Sequence, residues 1–447
     1  MIIEILNFFD EALWTYIGMP IIMALGLYLS FKSGFVQIRR FPSVVKTFLG
    51  FLLAPKDGDA RGVQPLQAFF ACVGGCVGIG NIVSICTAVQ VGGPGALFWI
   101  WVTATLGMLV KYSEIYLGMK YRVKSEDEGY AGGPQYFLKK VFKTPFVPML
   151  SAVLLCIYGV EVYQFSVITH SVSYNFGVNH FVATFTLLVM VLFAGWGGVK
   201  RVGNISAVII PVFVTLYVGM GLYALCLNYD QLGVMLGEVF RLAFTPAGAF
   251  GGFVGSTLMV TISQGVKRGC YTGDVGVGYA SVIHSESSVI RPEKQASLAI
   301  FDMFLDTFII CTTSITLILS TGVWSQPMDA SLLVQTALAE YFPYMNFFMP
   351  FFLFLLGYST INAYFVVGLK CARYISPRFG TTIFNLYAII SLTLFSFVDS
   401  THAQSLMAIA GGLLLVINCY GIYKLRAELS FDIQEDSVVA SCAQCCK

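Results

Sequence analysis

The sequence predicts an all-α membrane protein that crosses the bilayer about eleven times. Of its 447 residues, 57% are hydrophobic and only 11% are charged, whereas a soluble domain carries roughly 25% charged residues. A chain so poor in charge could not cover a globular surface with polar groups, so we expect lipid to be its solvent. Long apolar runs recur along the chain, and glycines cluster inside two of them. The runs predict transmembrane helices, and the glycines predict breaks in two of these helices.

Each transmembrane helix needs about 20 predominantly apolar residues. Residues 66–110 contain no Asp, Glu, Lys or Arg, and the Gly-Gly-Pro-Gly turn at 92–95 divides this stretch into two helices. Residues 1–11 hold acidic but no basic side chains, so we expect the first run to be a retained span rather than a signal peptide. The predicted spans are 12–31, 66–90, 95–120, 146–170, 181–198, 204–228, 249–270, 297–323, 346–370, 381–398 and 403–424.

The basic residues predict the orientation, because Lys and Arg are enriched in cytoplasmic loops. With the N-terminus outside, all 26 Lys and Arg residues except Arg241 fall on the inner side, including Lys267 and Arg268 in the fourth inner loop. We therefore expect a multi-pass plasma (inner) membrane protein whose C-terminus is cytoplasmic. The net charge of +2, without a basic cluster, argues against a nucleic-acid partner.

A weak internal repeat divides the predicted spans. Residues 1–65 form an extra N-terminal helix and a cytoplasmic loop, 66–228 a first group of five helices, 249–424 a second group, and 425–447 a cytoplasmic tail. Because each group has an odd number of spans, the second enters the membrane from the opposite side, as in the inverted repeats of many transporters. The first helix of each group is glycine-rich, at residues 73–81 and 248–256.

The glycine clusters favour a secondary transporter. Each glycine costs a helix up to about 1 kcal/mol relative to alanine, and four glycines fall within residues 74–80. A helix broken inside the membrane frees backbone groups, which are tolerated only when they line a cavity or are buried in protein. The freed N–H groups can hold a carboxylate and the freed carbonyls can hold Na⁺. The alternative is close helix packing through small residues. The sequence lacks the Gly-Lys-Ser/Thr phosphate loop expected of an ATP-driven pump.

Polar residues inside the spans add candidates. Ser359 and Thr360 could give hydroxyls to a sodium ion or could bond back to the preceding helical turn. Gln164 could bind a polar substrate or link two helices. Asp302 and Asp306, four residues apart on one helix face, are candidate proton sites in a proton-coupled carrier. Glu161 is a third such candidate.

Other polar residues predict structural roles. We expect Lys111 and Glu114 to form a pair near a helix end, and His170, His180 and His284 are too scattered along the chain for a metal site. Most of the 12 cysteines lie in apolar runs, where they act as small packing residues. The cysteine-containing tail at 442–446 is expected to be an unstructured end.

Motifs along nearly the whole chain resemble the alanine or glycine:cation symporter family. The first is Gly78-Ile79-Gly80-Asn81-Ile82, followed by the sequence Gly-Gly-Pro-Gly-Ala-Leu-Phe-Trp-Ile-Trp at 92–101. The later matches are Gly107-Met108, Lys111-Tyr112, Glu114, Lys120-Tyr121-Arg122, Gly132-Gly133-Pro134, Gly197-Gly198-Val199-Lys200-Arg201, Arg268-Gly269 and Asp306-Thr307.

The resemblance implies a leucine-transporter-like fold with a 5+5 inverted repeat after one extra helix. It implies transport of alanine or glycine with Na⁺, or sometimes H⁺. Gly74 and Val77 would give carbonyls to Na⁺, and Ser359 and Thr360 would give hydroxyls. The substrate carboxylate would meet Gly80 and Asn81, and the rest of the pocket would be lined by Cys76, Ile79, Gln164, Phe253 and Ser256.

The chain departs from the family pattern at several of these places. Ile79 stands where the family usually has Thr, and Thr-Gly-Asp-Val-Gly at 272–276 stands where it has Ser-Asn-Glu-Ala-Gly. In the ninth span, Ala363-Tyr364 replaces Gly-Trp, and Leu369 replaces a Glu. These departures affect the pocket lining and the inner side of the site, so they bear most on which substrate is carried.

Together these observations predict a monomeric sodium-coupled symporter of a small neutral amino acid. Transport requires no covalent chemistry, so we do not expect an enzyme. Two alternatives remain: a proton-coupled or exchange amino-acid carrier, and a non-transporting membrane receptor or scaffold with the same fold.

Overall fold

The structure is a computed structural model that describes residues 2–53, 61–125, 129–245, 258–397 and 401–433. Helices dominate the described residues. Their only two strands, Val123–Lys124 and Tyr130–Ala131, pair antiparallel in the loop after the third predicted span. The all-α class is therefore confirmed.

Eight helical segments of the described chain are long and apolar enough to cross a membrane. A ninth is bent by 55° between its two halves, Pro65–Cys76 and Ile79–Gly92. The helices His180–Gly195 and Leu258–Thr272 lie in the two remaining predicted spans. The exact number of crossings and the inverted repeat stay predictions. The eight segments are Phe8–Ser33, Ala96–Lys120, Phe146–Phe176, Gly198–Leu227, Pro292–Ser320, Met345–Ile375, Gly380–Phe397 and Ser405–Lys424.

Shorter helices occupy the connections between these segments. Their bounds are Val36–Arg39, Phe41–Leu53, Pro134–Val141, Tyr229–Leu242, Tyr279–His284 and Ala330–Ala339, with short 3₁₀ turns at Val323–Ser325 and Arg426–Glu428.

The bent segment Pro65–Gly92, here called the broken span, has a well-defined start and interruption. Pro65 occupies the first helical position, where its missing N–H costs nothing, and the Gln67 side chain accepts from the Gln64 amide at 3.1 Å. The first half-helix ends where Val77 turns extended, with ψ of 90°. The chain resumes as a 3₁₀ turn, Ile79–Asn81, and then as the helix Ser84–Gly92. The predicted break at residues 74–81 is therefore present.

Two further irregularities, both beside the broken span, were not predicted from the sequence. The fourth span consists of two helices, Phe146–Tyr158 and Val162–Phe176, separated by a non-helical Glu161. The eighth span contains a π-helical stretch, Phe304–Cys311, between its two α-helical parts. Such π-helical segments are rare and frequently lie at functional sites. Both irregularities face the broken span, as the contacts below show.

Polar contacts distinguish the two ends of the bundle. Lys32, at the end of the first span, contacts the carbonyl of Arg426, and Lys120 pairs with Glu428 at 2.9 Å. We call this the basic end. Asp10 lies near the start of the same 26-residue first span, Phe8–Ser33, and therefore at the other end of the bundle.

Lys267 pairs with Asp10 at 2.6 Å, so it lies toward the end opposite the basic end. Its neighbour Arg268 follows it within the helix Leu258–Thr272. The prediction that these two residues belong to an inner loop was therefore wrong. Both lie within a helix, and the ion pair with Asp10 holds Lys267 toward the end of the bundle opposite the basic end.

Candidate functional site

The amide groups freed at the break have three different fates. The Gly78 amide donates to Asn81 Oδ1 at 3.0 Å, and the Ile79 amide donates to Gln164 Oε1 at 3.2 Å. The Gly80 amide makes no hydrogen bond to the described residues, and Gly80 is partly exposed while both its neighbours are buried. The break therefore keeps one backbone donor available beside the positive end of a half-helix.

The carbonyl groups freed at the same break converge on Thr360. Its Oγ1 lies 3.1 Å from the Gly74 oxygen and 3.5 Å from the Val77 oxygen. It also lies 3.1 Å from the carbonyl of Leu356, one turn earlier in its own helix. The hydroxyl thus bonds back to the preceding turn and also faces the two carbonyls predicted to bind sodium. The Thr360 hydroxyl and the freed carbonyls of Gly74 and Val77 are neutral oxygens, the type of group that unwound transporter helices offer to Na⁺.

Ser359 approaches the break from the same helix as Thr360. Its Oγ lies 2.8 Å from the Oγ of Ser206, in the sixth span, and both hydroxyls are buried. A Cβ atom on Gly74 would collide with both hydroxyls, so this close approach requires glycine. Sequence reasoning missed Ser206, since a single serine in an apolar run carries no signal of its own.

The side chain of Asn81 is committed to the protein. Its Nδ2 donates to Asp306 Oδ1 at 2.5 Å, while its Oδ1 holds the Gly78 amide. The Asn81 carbonyl accepts from Ser314 Oγ at 2.7 Å. Asp306 lies in the π-helical stretch and also accepts from Thr307 at 2.9 Å. The eighth span thus fixes the conformation of the break, and a direct contact between Asn81 and substrate stays a prediction.

The other predicted pocket residues divide into two groups. Cys76 and Ile79 are buried at the break, and Ile79 would meet a Cβ on Gly357 of the ninth span. Gln164 reaches the break from the second half of the fourth span, so the interruption at Glu161 positions it. Phe253, Ser256 and the rest of the glycine-rich segment 248–256 lie outside the described residues.

Lys111 lies beside the break, but its partner differs from the predicted one. It pairs with Asp302 at 2.7 Å, and both side chains are fully buried. Glu114 instead accepts from the Gly278 amide at 3.1 Å. The predicted Lys111–Glu114 pair was wrong, because the folded bundle brings a carboxylate from another helix closer than the one on its own helix. A buried ammonium requires such a partner.

The Lys111 ammonium also contacts a cysteine–aspartate cluster. The sulfur atoms of Cys72 and Cys76 and a carboxylate oxygen of Asp302 all lie within 4.8 Å of one another. Lys111 Nζ lies 3.1 Å from the Cys76 sulfur and 2.9 Å from the Gly273 carbonyl. Because the ammonium already provides the positive charge there, this cluster does not fit a metal ion.

Within the described chain, ring contacts and hydrogen bonds join His170, His180 and His284 to residues outside the break. The rings of His170 and His180 are closer together than their sequence positions suggested, with centroids 4.6 Å apart. The Nε2 atom of His180 is 2.8 Å from the Ser396 carbonyl. His284 is buried elsewhere, with its Nδ1 atom 2.7 Å from Gln295.

The bundle has one span that is broken beside a cluster of backbone and hydroxyl oxygens. This arrangement is typical of a membrane transporter. An inward-facing structure of Mhp1 has the same fold, with a TM-score of 0.52 at 13% identity, covering 83% of this chain and 82% of that chain. This likeness confirms the expected leucine-transporter-like fold and carries no information on substrate.

The sequence identifies the family. The chain belongs to the sodium:alanine symporter family, whose pattern matches residues 1–435. It is 32% identical over 437 residues to an uncharacterized transporter of Haemophilus influenzae, covering 95% of this chain and 93% of that protein. It is 28% identical over 416 residues to the sodium/alanine symporter AgcS of Methanococcus maripaludis, covering 91% and 90%. The family resemblance noted from the motifs is confirmed.

Proposed function

We propose that the protein couples the entry of Na⁺ to the transport of alanine or glycine. The observation that carries this proposal is the convergence of Thr360 Oγ1 with the Gly74 and Val77 carbonyls at the break. Ser359, next to Thr360, is the second proposed hydroxyl ligand. All four groups are neutral oxygens, which suits a monovalent cation better than a strongly charged divalent ion.

The amino acid would bind on the other side of the same break. The free Gly80 amide and the positive end of the second half-helix would receive its carboxylate. Cys76, Ile79 and Gln164 border this position, and Phe253 and Ser256 are the proposed contributors from the seventh span. The buried Ile79 side chain would limit the room beside the Gly80 amide, so the proposed substrate has the size of alanine or glycine.

The binding of Na⁺ and of the amino acid would be coupled because their two proposed positions are close together along the chain. Val77 and Gly80 are three residues apart, so an ion that fixes the Val77 carbonyl also restricts the Gly80 amide. Each ligand would then lower the free energy of the conformation that binds the other, which makes the effect reciprocal. The protein acts by differential binding and forms no covalent intermediate, so we propose no enzymatic activity.

The wider organisation is part of the same proposal. We place the chain in the plasma membrane as a monomer, with an outer N-terminus and with the basic end in the cytoplasm. The first helix and loop (1–65), the two five-helix repeats (66–228 and 249–424) and the tail (425–447) would be its divisions.

A proton-coupled carrier is the second candidate. Asp302 has a cation partner in Lys111, whereas the hydrogen bonds of the buried Asp306 carboxylate within the described part of the chain come from neutral donors, Asn81 and Thr307. Asp306, together with the buried Glu161, is therefore the residue on which proton coupling would depend.

Uptake into proteoliposomes separates these candidates. Labelled alanine or glycine should accumulate only when an inward Na⁺ gradient is imposed. Accumulation driven equally well by a pH gradient in the absence of Na⁺ would favour the proton-coupled carrier. The absence of any amino-acid uptake, with correctly inserted protein, would favour the receptor or scaffold.

A further inference from the structure

Asp274 occupies an unusual position just past the seventh-span helix. It is fully buried, and its φ of 50° lies in the left-handed region, which residues other than glycine rarely adopt. Glycines at 276 and 278 also have positive φ, so the chain is unwound between Thr272 and the helix that begins at Tyr279. Such a conformation persists only where the surrounding structure holds it in place.

Three side chains from three different helices hold the Asp274 carboxylate. Tyr364 OH donates to it at 2.6 Å, Tyr158 OH donates at 2.9 Å, and the Cys76 thiol donates at 3.4 Å. Cys76 ends the first half of the broken span, Tyr158 ends the first half of the fourth span, and Tyr364 lies one turn beyond Thr360. Every donor is therefore next to an interruption or to the proposed sodium site.

The carboxylate lies between the break and the basic end. A Cβ atom on the partly exposed Gly80 would lie 3.8 Å from the Thr272 side chain, and Asp274 follows Thr272 by two residues. Beyond Asp274, Gly278 and Ser281 bond to Glu114, and Val282 packs on Gly133 in the loop after the third span. This part of the chain therefore runs from the break toward the basic end, and Asp274 lies on the way.

Asp274 and Tyr364 are 90 residues apart in sequence and are bonded to each other in the structure, with the Tyr364 hydroxyl 2.6 Å from both carboxylate oxygens. A phenol hydroxyl donates and a carboxylate accepts, so the two side chains are complementary.

We propose that Asp274, Tyr364, Tyr158 and Cys76 form an inner gate that seals the substrate position from the basic end. Opening toward that end separates the broken span, the fourth span and the ninth span from Asp274, and all three hydrogen bonds break. The role of the gate rests on the proposed transport function. The closed contact itself does not depend on which solute the protein carries. Lys111, which binds the Gly273 carbonyl and Asp302, is the charged group that adjoins the gate.

Cys76 is a native reporter of this gate. Its thiol is buried when the contact is closed and becomes reachable by a small alkylating reagent when the contact opens. We would measure the alkylation of Cys76 in the purified full-length protein by mass spectrometry. The variants are Tyr364→Phe and Tyr158→Phe, each of which removes one hydroxyl and keeps the ring.

Both variants should alkylate Cys76 about 10-fold faster than the unmodified chain, the factor that corresponds to one hydrogen bond to a charged acceptor. Tyr112→Phe is the matched control, because it deletes the hydroxyl of a buried tyrosine that donates to the Ser430 carbonyl at 2.8 Å and does not touch the gate. Its Cys76 rate should not change. The buried Cys86, which bonds to the Ile82 carbonyl, should stay unmodified throughout.

Unchanged Cys76 alkylation in both tyrosine variants would overturn the gate. An equal acceleration in Tyr112→Phe, or concurrent alkylation of Cys86, would also overturn it, because either result would show a general loosening of the protein. The measurement uses no substrate and no ion gradient. A failure of amino-acid uptake would therefore refute the transport proposal alone, and unaltered labelling would refute the gate alone.

Discussion

Replacing Thr360 by valine tests the sodium site directly. Valine keeps the branched shape of threonine and removes only the hydroxyl, which lies 3.1 Å from the Gly74 carbonyl and 3.5 Å from the Val77 carbonyl. An interaction between a polar group and an ion is worth about 1.5–3 kcal/mol. Its loss should raise the Na⁺ concentration for half-maximal uptake by about 10- to 100-fold.

The assay is alanine uptake into proteoliposomes over a Na⁺ titration, at a saturating alanine concentration. Thr313→Val is a matched control, because the Thr313 hydroxyl bonds only to the Ile309 carbonyl of its own helix. We expect the control to keep the Na⁺ dependence of the unmodified protein. If Thr360→Val keeps it too, then the hydroxyl only bonds back to its own helix, and the proposed sodium shell is refuted.

Three further predictions concern the residues around the break. Ser359→Ala should raise the Na⁺ requirement as well, and an unchanged titration would remove Ser359 from the site. Gly74→Ala should abolish Na⁺-dependent uptake, because the added methyl group would collide with Ser206 and Ser359. Gly219→Ala is the control and should keep its uptake, because there is open space around Gly219. Normal uptake by Gly74→Ala would contradict the close approach of the two helices. Lys111→Met should destabilise the protein by about 3–5 kcal/mol, because it leaves Asp302 buried without its cation. Adding Asp302→Asn should restore much of the lost melting temperature, and a double variant no more stable than Lys111→Met would argue against the pair.

Local patterns account for what the sequence predicted well. Apolar runs predicted the spans because a helix in lipid must satisfy its own backbone, and four closely spaced glycines predicted the break because few helices tolerate them. The family resemblance led us to expect Ser359 and Thr360 in the same site as Gly74, and both hydroxyls lie beside Gly74 in the structure. Their binding of Na⁺ stays a prediction.

Long-range contacts account for what the sequence did not predict. The interruption before Glu161 follows only a single glycine, Gly159, which is common within transmembrane helices. The Lys111–Asp302 pair joins residues from separate spans, and a helical pattern can favour only partners three or four residues away. The bond between Asp274 and Tyr364 depends in the same way on how the helices pack.

Two of the three amides freed at the break are bonded within the protein, and this bears on how a carrier without substrate could change its conformation back across the membrane. An unpaired buried amide costs on the order of 1–3 kcal/mol. Asn81 and Gln164 satisfy the amides of Gly78 and Ile79, so of these three amides only that of Gly80 lacks a partner among the described residues, and the partial exposure of Gly80 lowers its cost when no substrate is bound. If all three amides were free, the empty state would be less stable and the substrate would bind too tightly to be released. A single free donor at a half-helix end therefore suits a site that must fill on one side of the membrane and empty on the other.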